Sequence, residues 1–124
     1  MGRKSATSYT QILGQVIRGQ REMRRLGLLE VAKAVGLSSP SGWSRVETGD
    51  TTITLAQLRK AARVLKVTPT ALVQQADALA ARVEASGVTV HDEKPKTDMG
   101  PMLLGGAALL ALVAAAAAAA NNED

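Results

Sequence analysis

The sequence predicts an all-α protein: five helices in one small domain, a polar linker, and a C-terminal helix long enough to cross a membrane. Three observations carry that prediction. Aromatic residues make up 2 % of the chain, with one Trp, one Tyr and no Phe, too few for sheets built on aromatic and β-branched pairs. Between residues 9 and 87, apolar residues recur at three- and four-residue steps, separated by residues that start or stop helices. Residues 101–120, "PMLLGGAALLALVAAAAAAA", then run without a charged side chain.

Residues 1–8, "MGRKSATS", are short, polar and basic and read as a flexible N-terminus with no apolar stretch for a signal peptide. From Tyr9 to about Leu26 the positions Ile12, Leu13, Val16, Ile17, Met23 and Leu26 define the apolar face of a first helix, with Arg18, Arg21, Arg24 and Arg25 on its polar side. A second helix, Leu28 to Val35, stops at Gly36, the residue best suited to a left-handed helix end. Ser39 offers an N-cap and Pro40 suits a first helical position, so a third helix runs to about Thr48 before Gly49.

Thr54 and Gln57 have the spacing of a capping box and start a fourth helix, with Leu55, Leu58, Ala62 and Leu65 as its buried stripe. Thr68 and Pro69 repeat the start signal. In that fifth helix Leu72, Ala76, Leu79, Ala80 and Val83 share one face, and Gly87 ends it. The domain thus spans 9–87. Residues 88–100, "VTVHDEKPKTDMG", are polar and broken by Pro95, which predicts a linker.

The apolar run at 101–120 would span about 30 Å as a helix, the thickness of a bilayer's hydrocarbon core. Lys94 and Lys96 precede it and the polar tail 121–124, "NNED", follows. The positive-inside rule then expects the N-terminal domain in the cytoplasm and the anchor in the inner membrane. Gly105, Gly106, Ala107, Ala111 and Ala115 offer small surfaces for close packing between such helices.

The net charge of +4 conceals an asymmetry. Residues 1–75 carry twelve Lys/Arg against four Asp/Glu, whereas residues 76–124 carry three against seven. The basic half suits an acidic partner such as a phosphate backbone. No cysteine is present and the one histidine, His91, sits in the polar linker. Disulfides and thiolate metal sites are excluded, and neither a metal cluster, a Ser/His/Asp relay nor a cofactor site can be assembled, so the sequence does not read as an enzyme.

The segment "LGQVIRGQREMRRLGLLEVAKAVG…WSRVETG…TLAQLRKAARVLKVTPTALV" resembles the Cro/repressor type, or Xre family, helix-turn-helix domain over roughly residues 10–76. The shared features are an "IRxxR" helix, Ala32 followed four residues later by Gly36, "SRVExG", and a "TxxxL…A…L.V.P..L" tail. The resemblance implies a five-helix, lambda-repressor-like DNA-binding fold. It places the second and third helices as the reading unit, the third in the major groove of double-stranded DNA.

The family's base-reading positions fall on Ser39 to Gly42, Ser44 and Arg45, which brings in Ser41 as well. Arg45 is the residue able to make a bidentate guanine contact, its other reading being a phosphate contact. Trp43 and Val46 occupy inward positions. Lys33 and Arg59 are surface charges expected to position the protein on phosphates. Arg21 and Glu47 match a structural ion pair tying the first helix to the end of the third.

The resemblance departs at Leu28, where the family has a glutamine, and in a Gly36–Gly49 spacing one residue longer than usual. Asp50 would also face phosphates. The leading expectation is therefore a membrane-anchored transcription regulator acting as a homo-oligomer. The second is a module that binds a protein partner on the same fold, tethered to the membrane as in RodZ-like proteins.

Overall fold

The computed structural model describes residues 5–93. It contains β1 (Ala6–Ser8), α1 (Tyr9–Met23), α2 (Leu28–Ala34), α3 (Pro40–Thr48), α4 (Leu55–Leu65), α5 (Pro69–Ala85) and β2 (Thr89–His91). The five predicted helices are present. The membrane-spanning helix expected over 101–120 lies outside the described residues, within which no helix is long and apolar enough to cross a membrane.

Local chemistry sets the helix ends. Ser8, Ser39, Thr54 and Thr68 each accept a hydrogen bond from the backbone N–H three residues on, capping α1, α3, α4 and α5. Gln57 Oε1 returns the bond to the Thr54 N–H at 3.0 Å and completes the capping box. At the end of α2, Gly36 takes φ +89°, and Leu37 N–H reaches back to the Ala32 carbonyl at 2.8 Å. The same left-handed closure ends α1 at Arg25 (φ 56°) and α4 at Lys66 (φ 61°), where a side chain makes that conformation costly.

The core gathers Ile12, Leu13 and Ile17 of α1, Val31 and Ala32 of α2, Trp43 and Val46 of α3, Leu58, Ala62 and Leu65 of α4, and Leu72, Ala76 and Val83 of α5. Trp43 is completely buried, which makes it the largest single contributor to this core. Polar bonds add to the α1–α5 contact: Tyr9 Oη donates to Asp77 Oδ1 at 2.6 Å, and Gln20 Nε2 to Gln75 Oε1 at 3.0 Å. Partial burial, reinforced by the Asp77 carboxylate, pushes the Tyr9 hydroxyl up to about 12.

Three expectations need correction. Residues 6–8 and 89–91, read as a flexible end and a linker, pair as a two-stranded parallel sheet, with Ala6 opposite Thr89 and Ser8 opposite His91. Ala6, Thr7 and Ser8 are buried there, and Val88 packs on the core. Met23, assigned to the apolar face of the first helix, is 70 % exposed, because α1 ends there and the chain turns back through Arg25. Leu55, assigned to the buried stripe of the fourth helix, is 84 % exposed. It occupies the first helical position, a turn before Leu58, where no described element covers it.

Candidate nucleic-acid interface

Helices α2 and α3 flank a turn over residues 35–39, and α1 fixes how α3 is presented. A methyl group on Gly14 of α1 would sit 2.7 Å from both the Glu47 carbonyl carbon and the Val46 carbonyl oxygen, so only glycine lets the two backbones approach this closely. Gln15 Nε2 donates to the Glu47 carbonyl at 3.4 Å. One residue past α3, Gly49 (φ +81°) lies against Gln11, where a methyl group would come within 2.7 Å of the Gln11 Cα.

The predicted ion pair completes this attachment. Arg21 Nε donates to Glu47 Oε2 at 2.7 Å and Arg21 Nη2 to Glu47 Oε1 at 3.1 Å, a bidentate arrangement. Arg21 Nη1 donates to the Leu26 carbonyl at 2.9 Å, which ties in the α1–α2 connection. Both residues are buried, Arg21 at 8 % and Glu47 at 3 % exposure. The bond to Glu47 raises the Arg21 guanidinium above its ordinary range, against the opposing effect of burial.

The other end of α3 is open. Ser39 caps it by accepting from Gly42 N–H at 3.4 Å, and the Ser39 and Ser41 hydroxyls bond each other at 3.0 Å. Trp43 and Val46 point into the core, which turns the opposite face outward. On that face Ser41 and Arg45 are exposed and Ser44 is half-buried. The Arg45 side chain has no partner among the described residues. Gly42 is covered differently: the Leu37 side chain lies 3.5 Å from where its Cβ would be.

Lys33 on α2 and Arg59 on α4 are exposed and also without a partner among the described residues. Leu28, where the resemblance leads one to expect glutamine, is half-buried against the core. Asp50 accepts from Thr48 Oγ1 at 3.2 Å. Among the described residues no cluster of His, Cys, Asp or Glu could hold a metal. The arrangement places hydroxyls and a guanidinium on the outer face of a helix whose far end is held by α1.

Sequence reasoning missed Gly14, Gln15 and Lys60. Gly14 carried a signal, being a glycine inside a helix with no turn to explain it. Lys60 Nζ lies 3.9 Å from where a Cβ on Gly36 would be, beside the α2–α3 turn. Nothing in the linear pattern distinguishes it from Arg59.

A family model described as a helix-turn-helix domain matches residues 12–76. The fold is similar to two crystal structures of the clp gene regulator ClgR from Corynebacterium glutamicum. One has a TM-score of 0.60 at 23 % identity and covers 63 % of this chain and 82 % of that one. The other has a TM-score of 0.53 at 23 % identity, with 56 % and 90 % covered. The restriction-modification controller protein C.AhdI from Aeromonas hydrophila gives a TM-score of 0.48 at 28 % identity, with 51 % and 94 % covered. No curated protein gives a significant match.

Proposed function

Because the chain belongs to the helix-turn-helix domain family through residues 12–76, we propose that it is a DNA-binding transcription regulator whose α3 lies in the major groove. The observation that carries this reading is the outward face of α3, with Ser41, Ser44 and Arg45 displayed from a helix whose far end is locked to α1. A helix fits the major groove, and an unpartnered arginine on its outer face can bond guanine O6 and N7. Lys33 and Arg59 supply sequence-independent phosphate contacts. Two copies would present two such helices to half-sites about 34 Å apart, which makes a homodimer the expected binding form.

Binding of the chain to a selected site and to mixed-sequence duplex, followed by fluorescence anisotropy across a salt series, tests this. Affinity falls linearly with log salt. Arg45→Ala weakens the selected site by about 1–3 kcal/mol with much less change on mixed sequence, whereas Lys33→Ala and Arg59→Ala weaken both alike. Absence of any DNA affinity at low salt would overturn the reading. Residues 101–120 are further proposed to anchor the chain in a membrane, on their length and apolarity. Extraction of the full chain by alkaline carbonate would overturn that proposal.

A further inference from the structure

We propose that the outer face of α4 is a second phosphate-binding surface, one that lies along duplex DNA flanking the bases that α3 contacts. It rests on the DNA-reading proposal above, which already uses Arg59, and extends it to Lys60, Arg63 and Lys66. Arg59, Lys60 and Arg63 occupy positions i, i+1 and i+4 of α4, which place all three within about 100° of one another around the helix axis, and Lys66 follows as the residue that closes the helix. All four are exposed, and none has an ion pair or side-chain hydrogen bond with a described residue. Helix α4 itself, "LAQLRKAARVL", contains no acidic residue.

This arrangement has a cost in the free protein. Like charges three and four residues apart, as in Arg59–Arg63, Lys60–Arg63 and Arg63–Lys66, repel on a helix surface. Lys66 also occupies a left-handed position that a glycine would take more easily. On α1, by contrast, Arg18 pairs with Glu22 and Arg21 with Glu47 of α3. The unrelieved repulsion on α4 favours an occupant that is itself a regular array of negative charge.

Duplex DNA fits in spacing and in place. Four cations cover about 10 Å of helix axis, and one DNA strand presents about three phosphates over that distance. The stripe also begins at the reading unit, since Lys60 Nζ lies beside Gly36, and exposed Lys33 stands one helical turn before Gly36. The cations therefore continue from the α2–α3 turn onto α4.

The test uses the full chain and a preferred site selected from random duplexes. The site is made in two lengths, one ending at the selected bases and one extended by about 10 bp on each side, a single helical turn. Wild-type affinity is expected to rise about tenfold on extension, and K60Q/R63Q/K66Q to lose that gain together with about 2–3 of the salt slope. The ratio of selected to mixed-sequence binding on the short duplex should stay unchanged. The variant's melting temperature should hold or rise, because repulsion has been removed. If the triple change lowers it, K60Q/K66Q should still reduce the slope by about 2.

A wild-type chain that binds neither duplex brings down the DNA-reading proposal and this surface with it. Binding of the short duplex with no gain on extension, or a gain retained by the variant, overturns the α4 surface alone. Phosphatidylcholine vesicles with and without phosphatidylglycerol form the remaining arm. A variant that loses binding to the anionic vesicles yet keeps its duplex gain would assign the stripe to a membrane surface instead.

Discussion

The two ends of α3 are held by different kinds of interaction. At the C-terminal end, backbone meets backbone over Gly14, and a bidentate ion pair is buried between Arg21 and Glu47. At the N-terminal end the attachments are the Ser39 cap, the buried Trp43 side chain and the Leu37 side chain over Gly42, with Ser41 facing solvent and Arg45 following on the same outer face. Close packing of backbones leaves few alternative arrangements, whereas a hydroxyl cap is worth about 1 kcal/mol. The closed end fixes the direction of the helix. The outer face of the helix can then present Ser41 and Arg45 while Trp43 on the inner face holds the core.

The largest expected effect lies in the ion pair. Arg21→Ala leaves the Glu47 carboxylate, 3 % exposed, without its guanidinium, and Glu47→Ala strands Arg21 in turn. Each should cost about 3–5 kcal/mol in urea unfolding, because an uncompensated buried charge is worse than a lost attraction. The double variant should lose less than the sum of the two. Additive losses would show that the pair is not the clamp described here and would erase the contrast between the ends.

Gly14→Ala comes next. The added methyl group meets carbonyl atoms of α3, which cannot swing aside as a flexible side chain would. Overpacking of this kind costs about 1–3 kcal/mol. If α3 is displaced as well as destabilised, DNA affinity should fall by more than the unfolded fraction accounts for. A variant with wild-type stability would mean that the α1–α3 approach is looser than the structure shows.

How much of this could be read in advance follows the same division. The helix starts at Ser39, Thr54 and Thr68 and the stops at Gly36 and Gly49 were legible, since a cap is a contact between residues two to five apart. The Arg21–Glu47 pair, 26 residues apart, entered only through the family resemblance. The parallel pairing of residues 6–8 with 89–91 went unseen, because three-residue strands joined across the whole domain leave no local periodicity. The burial of Leu55 was overestimated because a helical stripe shows which face turns inward, not where the covering elements end. At the site, exposure of Arg45 followed from the inward positions of Trp43 and Val46. The cover that Leu37 places on Gly42 depends on turn geometry that a residue count does not contain.

At the open end, Ser39→Ala removes the acceptor for the Gly42 N–H and should cost about 1 kcal/mol of stability. Its effect on DNA affinity should be at least as large, since the first turn of α3 loses its alignment. Ser39→Asp restores the cap, so it should recover stability while placing a negative charge on the face proposed to enter the groove. Recovery of both stability and affinity by Ser39→Asp would indicate that this end of α3 does not face DNA.

The smallest effect belongs to a contact of α1 outside both ends, the Tyr9–Asp77 bond. Tyr9→Phe keeps the ring and loses one solvent-facing hydrogen bond, so stability at pH 7 should change by less than about 1 kcal/mol. The distinctive readout is alkaline. In the folded chain the hydroxyl is pushed up to about 12 from an ordinary 10.0 by burial and then by Asp77. Between those values the unfolded chain releases the proton that the folded chain keeps. The contribution is therefore fully present below pH 10 and declines as pH rises towards 12, and Tyr9→Phe should make that limb of the stability curve shallower. Arg21→Ala should shift the whole curve downward and leave the limb in place, which separates an exposed tie of α1 from the buried clamp on α3.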